Sequence, residues 1–120
     1  MKVHAIDFVE IRVADLDRAL RFYRDTLGMA FPLWEDSADW TEVQSPPVAI
    51  ALDRSAGATP GQVALALAVD DVAAAVAELR AQGVPILAEP EEGAVCYQAA
   101  IRAPDGNVLL LHKRKDGTAG

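Results

Sequence analysis

The sequence has one cysteine, no long apolar run and no excess of positive charge, and each shortage excludes a class of protein. Cys96 alone cannot form a disulfide within the chain, which fits a reducing compartment and predicts a cytoplasmic protein. No apolar run approaches the roughly 20 residues that a membrane-spanning helix needs. Asp7 comes too early for a signal peptide. With 11 Lys and Arg against 18 Asp and Glu, the net charge of −7 argues against nucleic acid and anionic membranes as partners.

The chain does have enough apolar residues for a packed core. It is 120 residues long and 52% hydrophobic, which predicts a single domain over residues 1–120. Acidity of this degree suits a neutral or cationic small ligand, and it also suits a protein that is merely kept soluble by its charge.

Two segments, 56 residues apart, each predict a strand followed by an amphipathic helix. Residues 8–13 alternate apolar and polar side chains as a half-buried strand does, and residues 64–69 predict the second strand. Asp15 and Asp71 are suited to cap the helices that follow, and Gly28 and Gly83 are suited to end them. The first helix is predicted to carry an apolar stripe formed by Leu16, Ala19, Leu20, Tyr23 and Leu27.

Strand-like segments follow each predicted helix, so that each half has the order β-α-β-β-β. These segments are 29–34, 40–44 and 48–52 in the first half, and 84–88, 97–102 and 108–112 in the second. The units are predicted to span residues 4–54 and 62–112, joined by a link over 54–61 and followed by a mobile tail over 113–120. A single unit leaves one sheet face bare. The sequence therefore predicts an α+β fold in which two βαβββ units form a curved sheet around a concave cleft.

Strand alternation predicts which side chains face this cleft. The side chains of Val9, Ile11 and Val13 must cover the first helix, so their neighbours along the strand face the other way. The polar candidates for the cleft are Glu10, Arg12, Glu42, Gln44, Gln98, Arg102 and His112. The apolar and small candidates are Phe8, Trp40, Ala49, Ala51, Ala64, Ala66, Ala68, Ala100, Val108 and Leu110.

Four short motifs carry a resemblance to a known superfamily. They are VADL at 13–16, ALRFYRDTLG at 19–28, VDDV at 69–72 and PDGN at 104–107. Together they span almost the whole chain, and in this arrangement the sequence resembles the vicinal oxygen chelate superfamily. That group includes glyoxalase I, extradiol dioxygenases, fosfomycin-resistance enzymes and bleomycin-resistance proteins. The resemblance is specific for the fold and says less about function, because the superfamily hosts many chemistries.

The resemblance also implies where a catalytic metal would be held. In the metalloenzymes of the superfamily, His, Glu or Gln ligands occupy positions that correspond here to Phe8, Ala51, Ala64 and Leu110. None of these side chains offers a lone pair to a divalent cation. We therefore expect that the protein holds no metal and no cofactor, and that it resembles the metal-free members of the superfamily. A relocated site formed by Glu10, Glu42 and His112 is the remaining alternative for a metal.

Two functions remain open at this point. In the first, the chain binds a small organic ligand, for example a cationic, antibiotic-like compound, as bleomycin-resistance proteins do, and it forms a homodimer. The ligand-binding residues would be Phe8, Glu10, Trp40, Glu42, Gln44, Gln98, Arg102 and Leu110. In the second, it is a metal-independent lyase, isomerase or cyclase in which Glu10 or Glu42 is the general base and His112 the acid.

Overall fold

The computed structural model describes residues 1–29, 32–37, 39–43, 46–55 and 59–120. Its elements, in chain order, are β1 (Ala5–Arg12), α1 (Leu16–Arg21), a π-helical turn (Phe22–Thr26), β2 (Pro32–Ser37), β3 (Trp40–Val43), β4 (Ala49–Asp53), β5 (Val63–Ala68), α2 (Val72–Ala81), β6 (Ile86–Glu92), β7 (Cys96–Arg102) and β8 (Val108–Arg114). Within the described ranges, no helix is long and apolar enough to cross a membrane.

The chain divides into two compact units that repeat one strand arrangement. The first unit comprises residues 8–63, and the second comprises residues 1–7 and 64–120. The strand order is β1-β4-β3-β2 in the first unit and β5-β8-β7-β6 in the second. In each, the strand before the helix pairs in parallel with the last strand, and the remaining pairs are antiparallel. The predicted α+β fold and its repeated βαβββ pattern are confirmed.

The first helix has the predicted N-cap, but the turn that follows α1 is π-helical rather than α-helical. The side chain of Asp15 accepts a hydrogen bond from the Arg18 amide at 3.0 Å, which caps α1. The next turn is π-helical, and the Leu27 amide donates to the Phe22 carbonyl at 3.0 Å. A π-helical turn holds more residues than an α-helical one, so the residues after it rotate around the axis. Leu27 is 54% exposed, and its predicted place in the apolar stripe is wrong.

The second unit has its core between α2 and the sheet. Asp71 caps α2 by accepting a hydrogen bond from the Ala74 amide at 2.9 Å. Val72 and Val76 of α2 pack in one cluster with Leu111 of β8. Since Leu109 packs against the same cluster, alternation places Leu110 and His112 on the opposite face of β8, as predicted.

The end of the described chain is more structured than the sequence indicates. Lys113 and Arg114 belong to β8 rather than to a mobile tail. The Gly120 amide donates to Oδ1 of Asp7 at 2.8 Å, and Nη2 of Arg114 donates to the Asp7 carbonyl at 3.0 Å. The physical reason is that Asp7 is 1% exposed, and a buried carboxylate needs donors.

Candidate functional site

Strand register in the first unit collects the predicted polar side chains on one sheet face. Ala51 of β4 lies opposite Glu10 of β1 on one side and opposite Glu42 of β3 on the other. In the next row, Asp53 lies between Arg12 and Trp40. Residues directly opposite each other on paired strands point to the same face. We call this set the carboxyl face. It consists of Phe8, Glu10, Arg12, Trp40, Glu42, Ala49, Ala51 and Asp53.

Two buried carboxyl groups meet at the centre of the carboxyl face. Glu10 is 4% exposed and Asp53 is 8% exposed. Burial raises the pKa of Glu10 to about 7, and a hydrogen bond from its carboxyl group to Asp53, together with the negative charge of Asp53, acts in the same direction. Arg12 opposes this effect, because its Nε donates to Oε2 of Glu10 at 3.1 Å. The carboxyl group of Glu10 therefore exists in both protonation states near neutral pH.

The groups around this carboxyl pair are fixed by further hydrogen bonds. Nη1 of Arg12 donates to Oε1 of Gln62 at 3.2 Å, which orients the guanidinium group. The Ser55 amide donates to Oδ1 of Asp53 at 2.7 Å. The orientation of Glu10 is thus set by neighbours that are themselves held in place, as a proton-transfer group requires.

An aromatic pair lies on the same face. The rings of Phe8 and Trp40 meet edge to face, with their centroids 5.3 Å apart and their planes at 82°. Ala51 is paired with Glu10 and Glu42, and this row of paired residues lies between the row that contains Phe8 and the row that contains Trp40. Ala51 has no exposed surface. The Nε1–H of Trp40 is buried, and no acceptor reaches it within the described part of the chain. An unsatisfied buried donor is rare in proteins and calls for an explanation.

The corresponding face of the second unit carries a buried histidine. His112 of β8 lies opposite Ala68 of β5 and opposite Gln98 of β7. His112 is 4% exposed, and its Nδ1 is 2.6 Å from Oδ2 of Asp7. Nη1 of Arg114 lies 3.2 Å from the other Asp7 oxygen, so the carboxylate is held from several sides. This His–Asp pair can fix the tautomer of the imidazole ring.

Sequence reasoning missed Asp7 and Asp53. Strict alternation turns Asp7 away from the face that holds Phe8, yet both residues are buried. Asp53 lies at the end of β4, where the sequence analysis ended the strand one residue early. The available signal was an acid at the margin of an apolar strand, which is costly to bury unless it has partners.

Of the remaining predicted residues, Gln44 lies outside the described residues. Gln98 and Arg102 of β7 lie opposite His112 and Val108 of β8, and therefore on the predicted face of the second unit. Both are exposed, and Nη1 of Arg102 donates to the Gly106 carbonyl at 2.9 Å, so it supports the nearby turn. Glu42 is half-buried. The structure therefore brings together Phe8, Glu10, Arg12, Trp40 and Glu42 in the first unit, and Gln98, Arg102, Leu110 and His112 on one face of the second.

The residues at the four positions that the resemblance assigns to metal ligands do not fit a divalent cation. Phe8, Ala51, Ala64 and Leu110 are between 0% and 6% exposed, and none of their side chains can donate an electron pair to a metal. In the part of the chain that the structure describes, no three His, Cys, Asp or Glu side chains come together in a geometry that could hold a metal ion. We derive no chemical step through a metal.

A cavity of about 460 Å³ lies elsewhere in the second unit, beside the start of α2. It is lined by Asp70, Asp71, Val72, Ala73, Pro90, Glu91, Glu92, Tyr97 and Lys113. Several of its acids have partners, since Nε2 of His4 is 2.9 Å from Asp70 and Nζ of Lys115 donates to Glu92 at 2.6 Å. None of the predicted site residues lines this cavity.

Comparison with known proteins identifies the family. Residues 5–111 match the Glyoxalase/Bleomycin resistance protein/Dioxygenase superfamily. The lactoylglutathione lyase of Haemophilus influenzae (strain ATCC 51907 / DSM 11121 / KW20 / Rd) is 29% identical, over 92% of this chain and 93% of that protein. The methylmalonyl-CoA epimerase of Mycobacterium tuberculosis superposes with a TM-score of 0.64 at 25% identity, over 93% of this chain and 89% of that one.

A third relative, the Mn(II)-bound glyoxalase of Novosphingobium aromaticivorans, superposes with a TM-score of 0.69 at 27% identity. The match covers 99% of this chain and 41% of that one. The matched length, the repeated βαβββ units and these likenesses agree with one another. The chain belongs to the glyoxalase/bleomycin resistance protein/dioxygenase superfamily.

Proposed function

We propose that this protein is a metal-independent enzyme that moves a proton at a carbon atom next to a carbonyl group. The observation that carries the proposal is the buried carboxyl group of Glu10, whose pKa is raised to about 7 beside Asp53 and Arg12. A general base works best when its pKa lies near the working pH, because it then exists in both protonation states and transfers protons readily. An ordinary surface glutamate would be too weak a base for this task.

The proposed step uses only groups of the chain, the substrate and water. The carboxylate of Glu10 removes a proton from the carbon next to the carbonyl group. The electron pair of the C–H bond forms a carbon–carbon double bond, and the carbonyl oxygen becomes an enolate oxygen. Return of the proton by Glu10 to the same face of that carbon restores the substrate, whereas delivery of a proton from water to the opposite face gives the epimer and leaves Glu10 to release its own proton to water.

The relatives support a substrate class. Their names speak of lactoylglutathione and methylmalonyl-CoA, and both compounds are acyl thioesters. A thioester carbonyl acidifies the adjacent C–H bond, which is the bond that a base of pKa about 7 would attack. We therefore propose an acyl thioester, or a related carbonyl compound, as the substrate.

The experiment that tests this proposal is hydrogen–deuterium exchange at carbon. The protein is incubated in D₂O with methylmalonyl-CoA and with lactoylglutathione, and deuterium incorporation is followed by mass spectrometry. Wild type should exchange the proton, with a rate that rises with pH and levels off above about pH 7. Glu10→Gln should lose at least roughly 100-fold, since general base catalysis supplies about 10²–10⁴-fold.

Two further variants make the result specific. Glu91→Gln removes an exposed carboxyl group from β6 and should leave the exchange rate unchanged. Glu42→Gln tests the other glutamate beside Ala51, which the sequence offers as the alternative base. Loss of exchange in Glu42→Gln with normal exchange in Glu10→Gln would transfer the role to Glu42. Absence of exchange by wild type across acyl thioesters would overturn the proposal.

The second candidate function is binding of an organic cation without turnover, by a homodimer. The edge-to-face pair of Phe8 and Trp40 beside carboxyl groups favours it, since aromatic rings and carboxylates together bind cations. Against it, a Glu10 with a pKa of about 7 is only partly charged at neutral pH, and Arg12 lies beside it. Native mass spectrometry separates the two functions, because a binder should copurify as a dimer carrying an organic adduct.

A further inference from the structure

We propose that the indole Nε1–H of Trp40 is the hydrogen-bond donor that receives the enolate oxygen of the substrate. This inference rests on the proposed function, and it names the group that stabilises the negative charge on the substrate oxygen. Removing a proton next to a carbonyl leaves negative charge on the oxygen, and a positioned donor is the usual way to stabilise it.

The first support is that the Nε1–H of Trp40 is a buried donor without an acceptor in the described residues. Such a group destabilises the folded protein, and it is retained at little cost only if a ligand satisfies it. Trp40 is half-buried as a whole residue, whereas its Nε1 atom is buried. Since the nitrogen itself is covered, we expect ligand binding to turn the ring.

The second support is the position of Trp40 relative to the base. Trp40 pairs with Asp53, and Asp53 shares a hydrogen bond with Glu10. The ring extends along the carboxyl face to reach Phe8, and the row of Glu10 and Ala51 lies between the rows of these two aromatic residues. The side chain of Ala51 is small and fully buried, so for a substrate carbonyl to reach both Glu10 and the indole, the Trp40 ring must move off this row.

The third support is the absence of another electrophile on this face. The two metal-ligand positions in the first unit hold Phe8 and Ala51, which can neither bind a cation nor donate a hydrogen bond from a side chain. Nε and Nη1 of Arg12 already donate to Glu10 and Gln62, and the group carries a positive charge. Among the side chains of the carboxyl face, the indole is the neutral donor that remains.

The test uses ethyl nitronate, the anion of nitroethane, as a planar mimic of an enolate. Its binding is followed in ¹H–¹⁵N spectra, in which the indole signal of Trp40 is assigned by its loss in Trp40→Phe. We expect the Trp40 N–H proton to move downfield on binding. Trp40→Phe keeps an aromatic ring against Phe8 and should weaken nitronate binding roughly 10- to 100-fold, the range for a hydrogen bond to a charged group.

A stability measurement separates this role from a structural one. Because Trp40→Phe removes an unsatisfied buried donor, urea unfolding should give a stability equal to or above that of wild type, while deuterium exchange at carbon falls. If nitronate binds, its affinity is the same in Trp40→Phe and the indole signal does not move, the inference about Trp40 is overturned while the role of Glu10 stands. If wild type neither binds nitronate nor exchanges deuterium, the proposed function and this inference both fall.

Discussion

The substitution Glu10→Gln should make the protein more stable above pH 7 while it removes the proposed activity. A free glutamate carboxyl group has a pKa of 4.5, and burial raises the pKa of Glu10 to about 7 in the folded chain. Between these pH values the folded state binds more protons than the unfolded state. The stability contributed by the protonated group is therefore present below pH 4.5 and is lost as the pH rises through 7.

The size of this effect follows from the two pKa values. They differ by about 2.5, and each unit of pKa corresponds to about 1.36 kcal/mol, so ionised Glu10 costs the folded state about 3 kcal/mol above pH 7. Glutamine is neutral at every pH and has nearly the same shape. Its amide N–H can donate to Asp53, and its carbonyl oxygen can accept from Nε of Arg12.

The assay is urea unfolding followed by circular dichroism, for wild type and Glu10→Gln, below pH 4.5 and above pH 7. The two proteins should be similarly stable at the lower pH, and the variant should be more stable by up to about 3 kcal/mol at the higher pH. Glu91→Gln provides the matched control, since an exposed carboxyl group should show no such dependence. A stability difference between Glu10→Gln and wild type that is the same at both pH values would refute the reasoning.

Three further substitutions test other parts of the structure. Asp7→Ala should lower stability by about 3–5 kcal/mol, because it removes the buried carboxylate that contacts both His112 and Arg114, and a loss below about 1 kcal/mol in urea unfolding would contradict that role. Ala51→Leu places a larger side chain between the rings of Phe8 and Trp40. It should cost about 1–3 kcal/mol in stability and abolish nitronate binding in calorimetry, and unchanged binding would show that the ligand lies elsewhere. Phe8→His restores one ligand at a metal position but should bind no Zn²⁺ in calorimetry, since the other three positions still lack donors, and tight binding would reveal ligands that the geometry does not indicate.

The local features of this protein were readable from the sequence. Asp15 and Asp71 cap their helices as predicted, because a capping hydrogen bond reaches only to an amide three residues ahead. Alternation along β8 also gave the correct face for His112, and alternation along β1 places Glu10 on the same face as Phe8 and Arg12, since successive side chains of a strand point to opposite sides. The order βαβββ followed from two such patterns repeated 56 residues apart.

What only the tertiary structure decided was which groups meet and in which protonation state. Asp53 reaches Glu10 because β4 pairs in parallel with β1 in one particular register, and Asp7 reaches His112 across a sequence separation of 105 residues. Whether the Nε1–H of Trp40 meets a hydrogen-bond acceptor depends on the placement of all the groups around that ring. The sequence by itself determined the repeat, the helix caps and the side of the sheet on which each residue lies, because these depend on neighbours in the chain. The raised pKa of Glu10 and its partners depend on burial and on contacts between distant strands, which exist only once the sheet has formed.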